Sequence, residues 1–475
     1  MMSIAVIAGK RRLSYIKWIM AAVCLLLAGS GCQAQESRPF RAIVASDLHY
    51  TSSEYAVDVI VSGMAFADEI TDALVEEVIA EAPDVFIMTG DNTNSGARAD
   101  ALILVEKLSR IREAGIDVVI TTGNHDMRVK DPTVFEDCYW PLFTPDERDE
   151  ASSSYVQVVN GVALFAMDDN AVTMGAEGKF SQNTMAWLQE MLEKYSPQYP
   201  IVFLSHHNVL VGLGQEQTES YRIQNDELPG LLKEYGVHLI LTGHLHSQML
   251  EEWDGLYEVV NAMPFGGEHA IGRLEITLES DERDSGGPDH DGTDDESTGS
   301  EGSDSGAAGS EDPDSGAAGS GSSDSGAADS VGLVSEAAGE TKENGASGKA
   351  VQVHYAIEPM NIARYGREGL AQELTLKDQE RSERFREWFY QILAQTGCPE
   401  AEQEMAADLM EAFFRYYEEG TLADHRGEIL SNAVYQVMID SLWDSNYGPW
   451  MKSTIENVSR NAGSVEFSYV LGEQD

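Results

Sequence analysis

The segment Val85-Phe-Ile-Met-Thr-Gly-Asp91-Asn92 points to the architecture. Four apolar residues in a row are too few for a helix and too apolar for a loop, so they read as a buried strand, and the Thr-Gly-Asp-Asn that follows reads as its polar end. Moving outward, the same pattern recurs. Ala42-Ile-Val-Ala45 leads to Asp47-Leu-His49, Val118-Val-Ile120 to Gly123-Asn-His-Asp126, Ile201-Val-Phe-Leu204 to His206-His207, and His238-Leu-Ile-Leu241 to Gly243-His-Leu-His246. Amphipathic helical stretches separate these runs, which is the rhythm of an α/β domain. Strand C-termini in such sheets open into a ligand crevice, so five polar clusters at five strand ends are expected to converge.

Each cluster alone says little, because a lone histidine at a strand end is commonly structural. Together they hold six of the 11 histidines, with carboxylates and amides in a fixed order. That order, Asp-x-His, Gly-Asp, Gly-Asn-His-Asp, His and Gly-His-x-His, resembles the calcineurin-like metallophosphoesterases over roughly residues 41–278. The resemblance implies a two-sheet α/β sandwich. It also implies a dimetal site, with Asp47, His49 and His246 on one ion, Asn124, His206 and His244 on the other, and Asp91 bridging. Imidazole and carboxylate without thiolate suit manganese, iron or zinc, and calcium far less. In the family's chemistry, water activated between the ions attacks phosphorus. His125 corresponds to the general acid that protonates the leaving alkoxide, and Asp126 is expected to orient that imidazole and raise its pKa, the alternative being a carboxylate that caps the turn. His207 is expected either to pack behind the site or to contact substrate, and Asp168-Asp169, at the end of Val162-Ala-Leu-Phe-Ala-Met167, is a candidate to orient a ligating histidine. His238, His269, His290, His354 and His425 match no motif.

The rest of the chain sets limits. Its 475 residues carry a formal charge of −50, which repels polymeric nucleic acid, while a 42% hydrophobic content is enough for a core. Four cysteines with no CxxC pair exclude a disulfide scaffold and a thiolate zinc site. Residues 1–31 read as an export signal: Lys10, Arg11, Arg12 and Lys17 precede the apolar run Trp18 to Ala28, too short to span a bilayer. Gly29-Ser-Gly31 before Cys32 resembles a bacterial lipoprotein box, although Gly29 stands where leucine is usual. The expected product is an extracytoplasmic protein anchored to the membrane by a lipid on Cys32, tethered through residues 32–38, or otherwise secreted.

Residues 39–279 form the expected phosphoesterase core. Residues 280–350 change abruptly to Asp, Ser, Gly and Ala, with Asp-Ser-Gly-Ala-Ala repeated at Asp304, Asp314 and Asp324, and read as an acidic disordered insertion. The alternating segments on its flanks, Ala270 to Leu278 and Val351 to Ile357, make it an enlarged hairpin loop, with residues 351–370 as the return strand. From 371 to 475 the period is helical. Phe385, Trp388, Phe389, Ile392 and Leu393 form one stripe; Met405, Leu409, Phe413 and Tyr416 a second; Leu430, Ala433, Val434, Val437 and Met438 a third. Pro449 suits the first turn of a fourth helix.

A tyrosine that binds ferric iron in purple acid phosphatases would fall at Asn94, so that branch does not fit. A helical C-terminal segment on an exported protein is similar in layout to the class III cyclic-nucleotide phosphodiesterases. The expected substrates are therefore small phosphodiesters such as cyclic nucleotides, with phosphomonoesters the alternative. A non-catalytic surface binding protein is the reading from another class, and a relic of that kind should have lost a ligand or the general acid.

Overall fold

The computed structural model describes residues 38–52, 65–129, 131, 133–173, 175, 177–211, 221–266, 269–279, 349–445, 447–458 and 460–472. The expected export signal, Cys32 and nearly all of the acidic insertion lie outside these residues.

Two mixed sheets carry the molecule. The first holds β1 (Phe40–Ala45), β2 (Val85–Met88), β3 (Asp117–Ile120), β11 (Ala270–Leu278), β12 (Ala350–Pro359) and β13 (Ser464–Val470), in the order β13-β12-β11-β1-β2-β3. β1, β2 and β3 run parallel, and β11, β12 and β13 continue antiparallel from β1. The second holds β4 (Glu147–Arg148), β5 (Tyr155–Val159), β6 (Val162–Ala166), β7 (Ile201–Leu204), β8 (Leu239–Thr242), β9 (Met249–Trp253) and β10 (Leu256–Val260), in the order β4-β5-β6-β7-β8-β10-β9.

Alternation along the strands of the second sheet explains the layering. In β6, Leu164 and Ala166 join the core shared with the first sheet, while Ala163 and Phe165 join a second core. That second core is closed by α4 (Gln182–Tyr195) and α5 (Leu228–Glu234). On the other side α1 (Ala67–Glu81) and α2 (Arg98–Glu113) press Ile70, Leu74, Leu104 and Leu108 onto the first sheet. A short α3 (Thr133–Tyr139) packs beside α2. The result is the expected two-sheet α/β sandwich.

All five apolar runs are strands, but they divide between the sheets: β1, β2 and β3 in one, β7 and β8 in the other. The crevice therefore lies between two sheets. β11 and β12 pair in one unbroken register, Leu278 opposite Val351 and Ala270 opposite Pro359, so the chain between them leaves and re-enters adjacent strands.

The expected all-helical stretch 371–475 differs in two ways. Its third stripe is split, because α8 (Leu422–Ser431) stops at Asn432, whose extended backbone (φ −66°, ψ 134°) breaks the helix. The Asn432 side chain then accepts the Val434 N–H as α9 (Tyr435–Ser441) begins. More importantly, the stretch ends as strand β13, paired antiparallel with β12 from Ala350↔Val470 to Ala356↔Ser464. Val465, Phe467 and Tyr469 alternate inward there: Phe467 stacks on Tyr257 at 4.3 Å and Tyr469 on His238 at 4.0 Å. The helical segment, α6 (Glu368–Gln395), α7 (Gln403–Glu418), α8, α9 and α10 (Tyr447–Asn457), is thus a second insertion between neighbouring strands. Its own core includes Phe389, Leu393, Met410, Phe413 and Met451.

Candidate metal centre

The strand ends continue to pair after the strands stop. Asp47 donates its N–H to the Gly90 carbonyl, His49 to Asp91 and Tyr50 to Asn92, so the loops after β1 and β2 are zipped together. In the second sheet, Gly243 N–H donates to His206 O, so the loops after β7 and β8 are tied in the same way. This close approach needs the motif glycines. A Cβ at Gly123 would lie 2.0 Å from Asp91 N, one at Gly90 2.6 Å from His206 Nδ1, and one at Gly243 1.8 Å from Ser46 Oγ. The backbone is also held in an unusual state. Nine described non-glycine residues have positive φ, and five of them are Asp47, His49, Asp91, His244 and His246. Such conformations cost free energy and concentrate where function fixes a side chain's direction.

The seven residues that the resemblance names as ligands come together. His49 Nε2 lies 2.9 Å from His246 Nε2, 3.5 Å from Asp91 Oδ2 and 3.8 Å from Asp47 Oδ1; His246 Nε2 lies 3.4 Å from Asp47 Oδ1. Asp47, His49, Asp91 and His246 form one group able to hold a metal ion. On the other side of Asp91, His206 Nε2 lies 3.0 Å from Asn124 Oδ1, 3.2 Å from His244 Nδ1 and 3.4 Å from Asp91 Oδ2. Two ligand atoms each about 2.1 Å from a common ion stand about 3.0–3.4 Å apart at tetrahedral or octahedral angles. Most of these spacings fall close to that range, so the donor set fits two ions sharing Asp91.

Electrostatics support the fit. Asp47 and Asp91 are fully buried, and among the described residues the ion-pair partners of both are histidines. Burial works to raise both carboxyls, but the imidazoles override it and hold them below the usual range. Burial likewise works against a charged His206, and Asp91 and Asp47 reverse this, raising it to about 10. His49, by contrast, is lowered to about 3 and His244 to about 2, in both cases chiefly by burial. Two buried carboxylates that draw positive charge onto His206, beside His49 and His244 held neutral with lone pairs to offer, make a place suited to cations.

His206 is oriented with particular care. Its Nδ1–H donates to the Thr89 carbonyl at 3.0 Å, which leaves Nε2 free as a ligand. Its backbone N–H donates to Asp169 Oδ2, as does that of His207, and the His207 Nδ1–H donates to Asp169 Oδ1 at 3.0 Å. His207 is fully buried, and its ring lies 4.4 Å from that of His244, so it packs directly against a candidate ligand and does not turn away from the site. Asp169 therefore steadies His206 through its backbone, whereas Asp168 accepts from Thr122 and Ser153.

The expected role of Asp126 is not what the structure shows. Its buried carboxylate accepts from Asn92 N, Asn92 Nδ2 and Gly123 N on Oδ2, and from Thr93 N and Thr93 Oγ1 on Oδ1. Five donors from two motif loops occupy it fully, so it clamps the loops and does not orient His125. Burial, with the nearby charge of Asp91, raises its carboxyl to about 6. The His125 ring instead donates Nδ1–H to the Asn94 carbonyl at 2.9 Å, and its Nε2 accepts from Arg128 Nη2 at 2.5 Å. Burial lowers the His125 pKa and Arg128 adds to this, the opposite of the expected rise. His125 still borders the centre, its Nε2 3.9 Å from Asp91 Oδ2 and its ring edge-on to His49.

Sequence reasoning missed Arg128, Thr89 and Gln248. Arg128 lies three residues beyond His125, a spacing that could have marked it. Thr89 acts through its carbonyl, which residue type cannot reveal. Gln248 ties the loop after β8 to the helical segment: its N–H donates to the Glu418 carbonyl and its Nε2 to Ala462 O.

Residues 40–248 match the calcineurin-like phosphoesterase family. A probable glycerophosphodiester phosphodiesterase GpdQ from Arcobacter nitrofigilis is 23% identical over 184 residues, 38% of this chain and 63% of that protein. The chain therefore spans less than two thirds of this relative. The glycerophosphodiester phosphodiesterase GpdQ of Enterobacter lignolyticus is also 23% identical, over 44% of this chain and 71% of its own length. Among solved structures, a dimetal phosphatase from Danio rerio aligns with 50% of this chain and 95% of its own at 12% identity and a TM-score of 0.38. With its motif loops, two-sheet sandwich and paired ligand sets, residues 40–248 form a calcineurin-like phosphoesterase domain.

Proposed function

We propose that the protein is an exported dimetal phosphodiesterase acting on small phosphodiesters. The observation that carries this is the convergence of Asp47, His49, Asp91, Asn124, His206, His244 and His246, with their donor atoms 2.9–3.8 Å apart around the Asp91 carboxylate. When bound, two divalent ions would supply Lewis acidity to the phosphoryl oxygens and lower the pKa of water towards about 7. The chain's own residues do the rest. Asp47 and Asp91 set the charge, and the trios on either side of Asp91 set the distance. His125, held by Asn94 O, presents Nε2 towards the site; that nitrogen accepts from Arg128, so it must first take up a proton in place of this contact before it can pass one to the leaving alkoxide. Arg128, beside that nitrogen, gives an anionic ester a positive contact at the rim.

Both GpdQ relatives are named as phosphodiesterases, which supports diesters over monoesters. The test compares methyl 4-nitrophenyl phosphate with 4-nitrophenyl phosphate on manganese-loaded protein. The diester should have the higher kcat/KM, and His125→Ala should abolish most of its turnover. Preference for the monoester would overturn the reading of substrate class, and failure to turn over either ester with metal bound would favour a binding protein. Export and anchoring rest on residues 1–38 alone. Cys32→Ser should move the protein from the membrane fraction to the soluble extracytoplasmic fraction, and unchanged fractionation would count against a lipid anchor.

A further inference from the structure

The helical segment lies outside the residues matched to the family, yet it meets the core beside the metal centre. A cavity of about 200 Å³ opens next to His246, whose side chain is 37% exposed, and is walled by Met263, Arg381, Phe385 and Glu418. A second, of about 250 Å³, continues between α6 and α7 past Trp388, Phe414 and Tyr447. Arg381, Phe385, Glu418 and Glu419 line both, so the two adjoin as neighbouring parts of one cleft region, the first bordering a candidate ligand. Together they reach the size of a small-molecule site, about 300–1,000 Å³.

The walls are aromatic. Trp388 stands edge-on to Phe385 at 6.4 Å and to Tyr447 at 6.2 Å, and remains 42% exposed. The Arg381 guanidinium sits 5.3 Å from the Phe385 ring and pairs with Glu418. The rim is net acidic, with Asp378, Glu411, Glu418 and Glu419 against Arg381 and Arg415, which lie beside Glu418 and Glu411. Carboxylates there would repel a second phosphate and accept N–H groups, while the rings offer stacking surface.

We propose that this cleft binds the ester arm that stays on the phosphate, and that it selects phosphodiesters whose arm is a planar, nitrogen-bearing aromatic. The proposal rests on the phosphodiesterase reading and names its substrate class. Stacking of one such ring on an aromatic wall is worth roughly 10-fold or more in affinity.

The experiment uses two diesters with the same leaving group: methyl 4-nitrophenyl phosphate and thymidine 5′-(4-nitrophenyl phosphate). On the metal-loaded full chain, KM should be about tenfold lower for the nucleoside ester. Phe385→Leu, which removes the ring but keeps an apolar side chain on α6, should bring the two KM values together. Equal KM values in the unaltered protein, or an unchanged difference in Phe385→Leu, would overturn the proposal. A second arm needs no turnover. Adenosine titrated into the protein should change tryptophan fluorescence saturably, and Trp388→Phe should remove that change; no saturable change in the unaltered protein would also overturn it. If adenosine binds but neither ester is hydrolysed, the phosphodiesterase reading fails and the aromatic site remains. If both esters are hydrolysed with equal KM, the reverse holds.

Discussion

The two trios around Asp91 solve the same problem by different means. Asp47, His49 and His246 include a carboxylate, so with Asp91 they offer two negative charges, and His246 faces the cleft. Asn124, His206 and His244 are neutral ligands, and their strength lies in support, with His206 fixed by Thr89 and Asp169. One trio holds by charge and the other by preorganisation. An ion between charged ligands should therefore be retained longer than one between neutral ligands, whatever the metal.

The largest effect should come from removing what the trios share. Asp91→Ala should lower kcat/KM by on the order of 10³-fold or more, the scale of losing a central electrostatic stabiliser. It should also release both ions in a metal-content measurement after dialysis. Next is the charge swap. The unaltered protein should give up one ion to a mild chelator before the other; Asp47→Asn should lose that difference, and Asn124→Asp should hold both. Simultaneous release from the unaltered protein would break the comparison. Third, Asp169→Ala should weaken the neutral trio alone by roughly 10–100-fold in metal affinity, the usual scale for outer supports. Equal weakening at both sites would show that Asp169 serves the whole crevice. Smallest is Gly420→Ala. Gly420 has φ +70°, and a Cβ there would meet Gln248 Cγ at 2.9 Å, so the substitution should cost about 1–3 kcal/mol in denaturant unfolding. Activity should fall mainly through KM, since both trios remain in place.

These differences mark how far the sequence was legible. Strand ends carrying Asp, His and Asn were readable because a metal site accepts few residue types, and because the apolar runs before them are short and bounded. Asp126 was not, since a carboxylate that orients an imidazole and one that clamps two loops look alike in a motif. Five donors from Asn92, Thr93 and Gly123 settle it only in three dimensions. The helical stripes were visible, but a stripe does not say what it packs against: Met405, placed in the second stripe, is exposed, and Ala406 and Met410 are buried in its stead. β13 escaped because its alternating Val465, Phe467 and Tyr469 follow a long helical region and lie far in sequence from their partner strand.

β13 has a consequence for the protein's life outside chemistry. It is the outermost strand of its sheet and the partner of a ten-residue strand, β12. Proteolytic clipping anywhere in the helical segment, followed by loss of the distal piece, would bare the β12 edge as a row of unpaired amides and carbonyls. Exposed edges of that kind recruit other strands. A damaged copy should therefore self-associate before it merely slows, so the helical segment's integrity bears on solubility as well as on substrate choice.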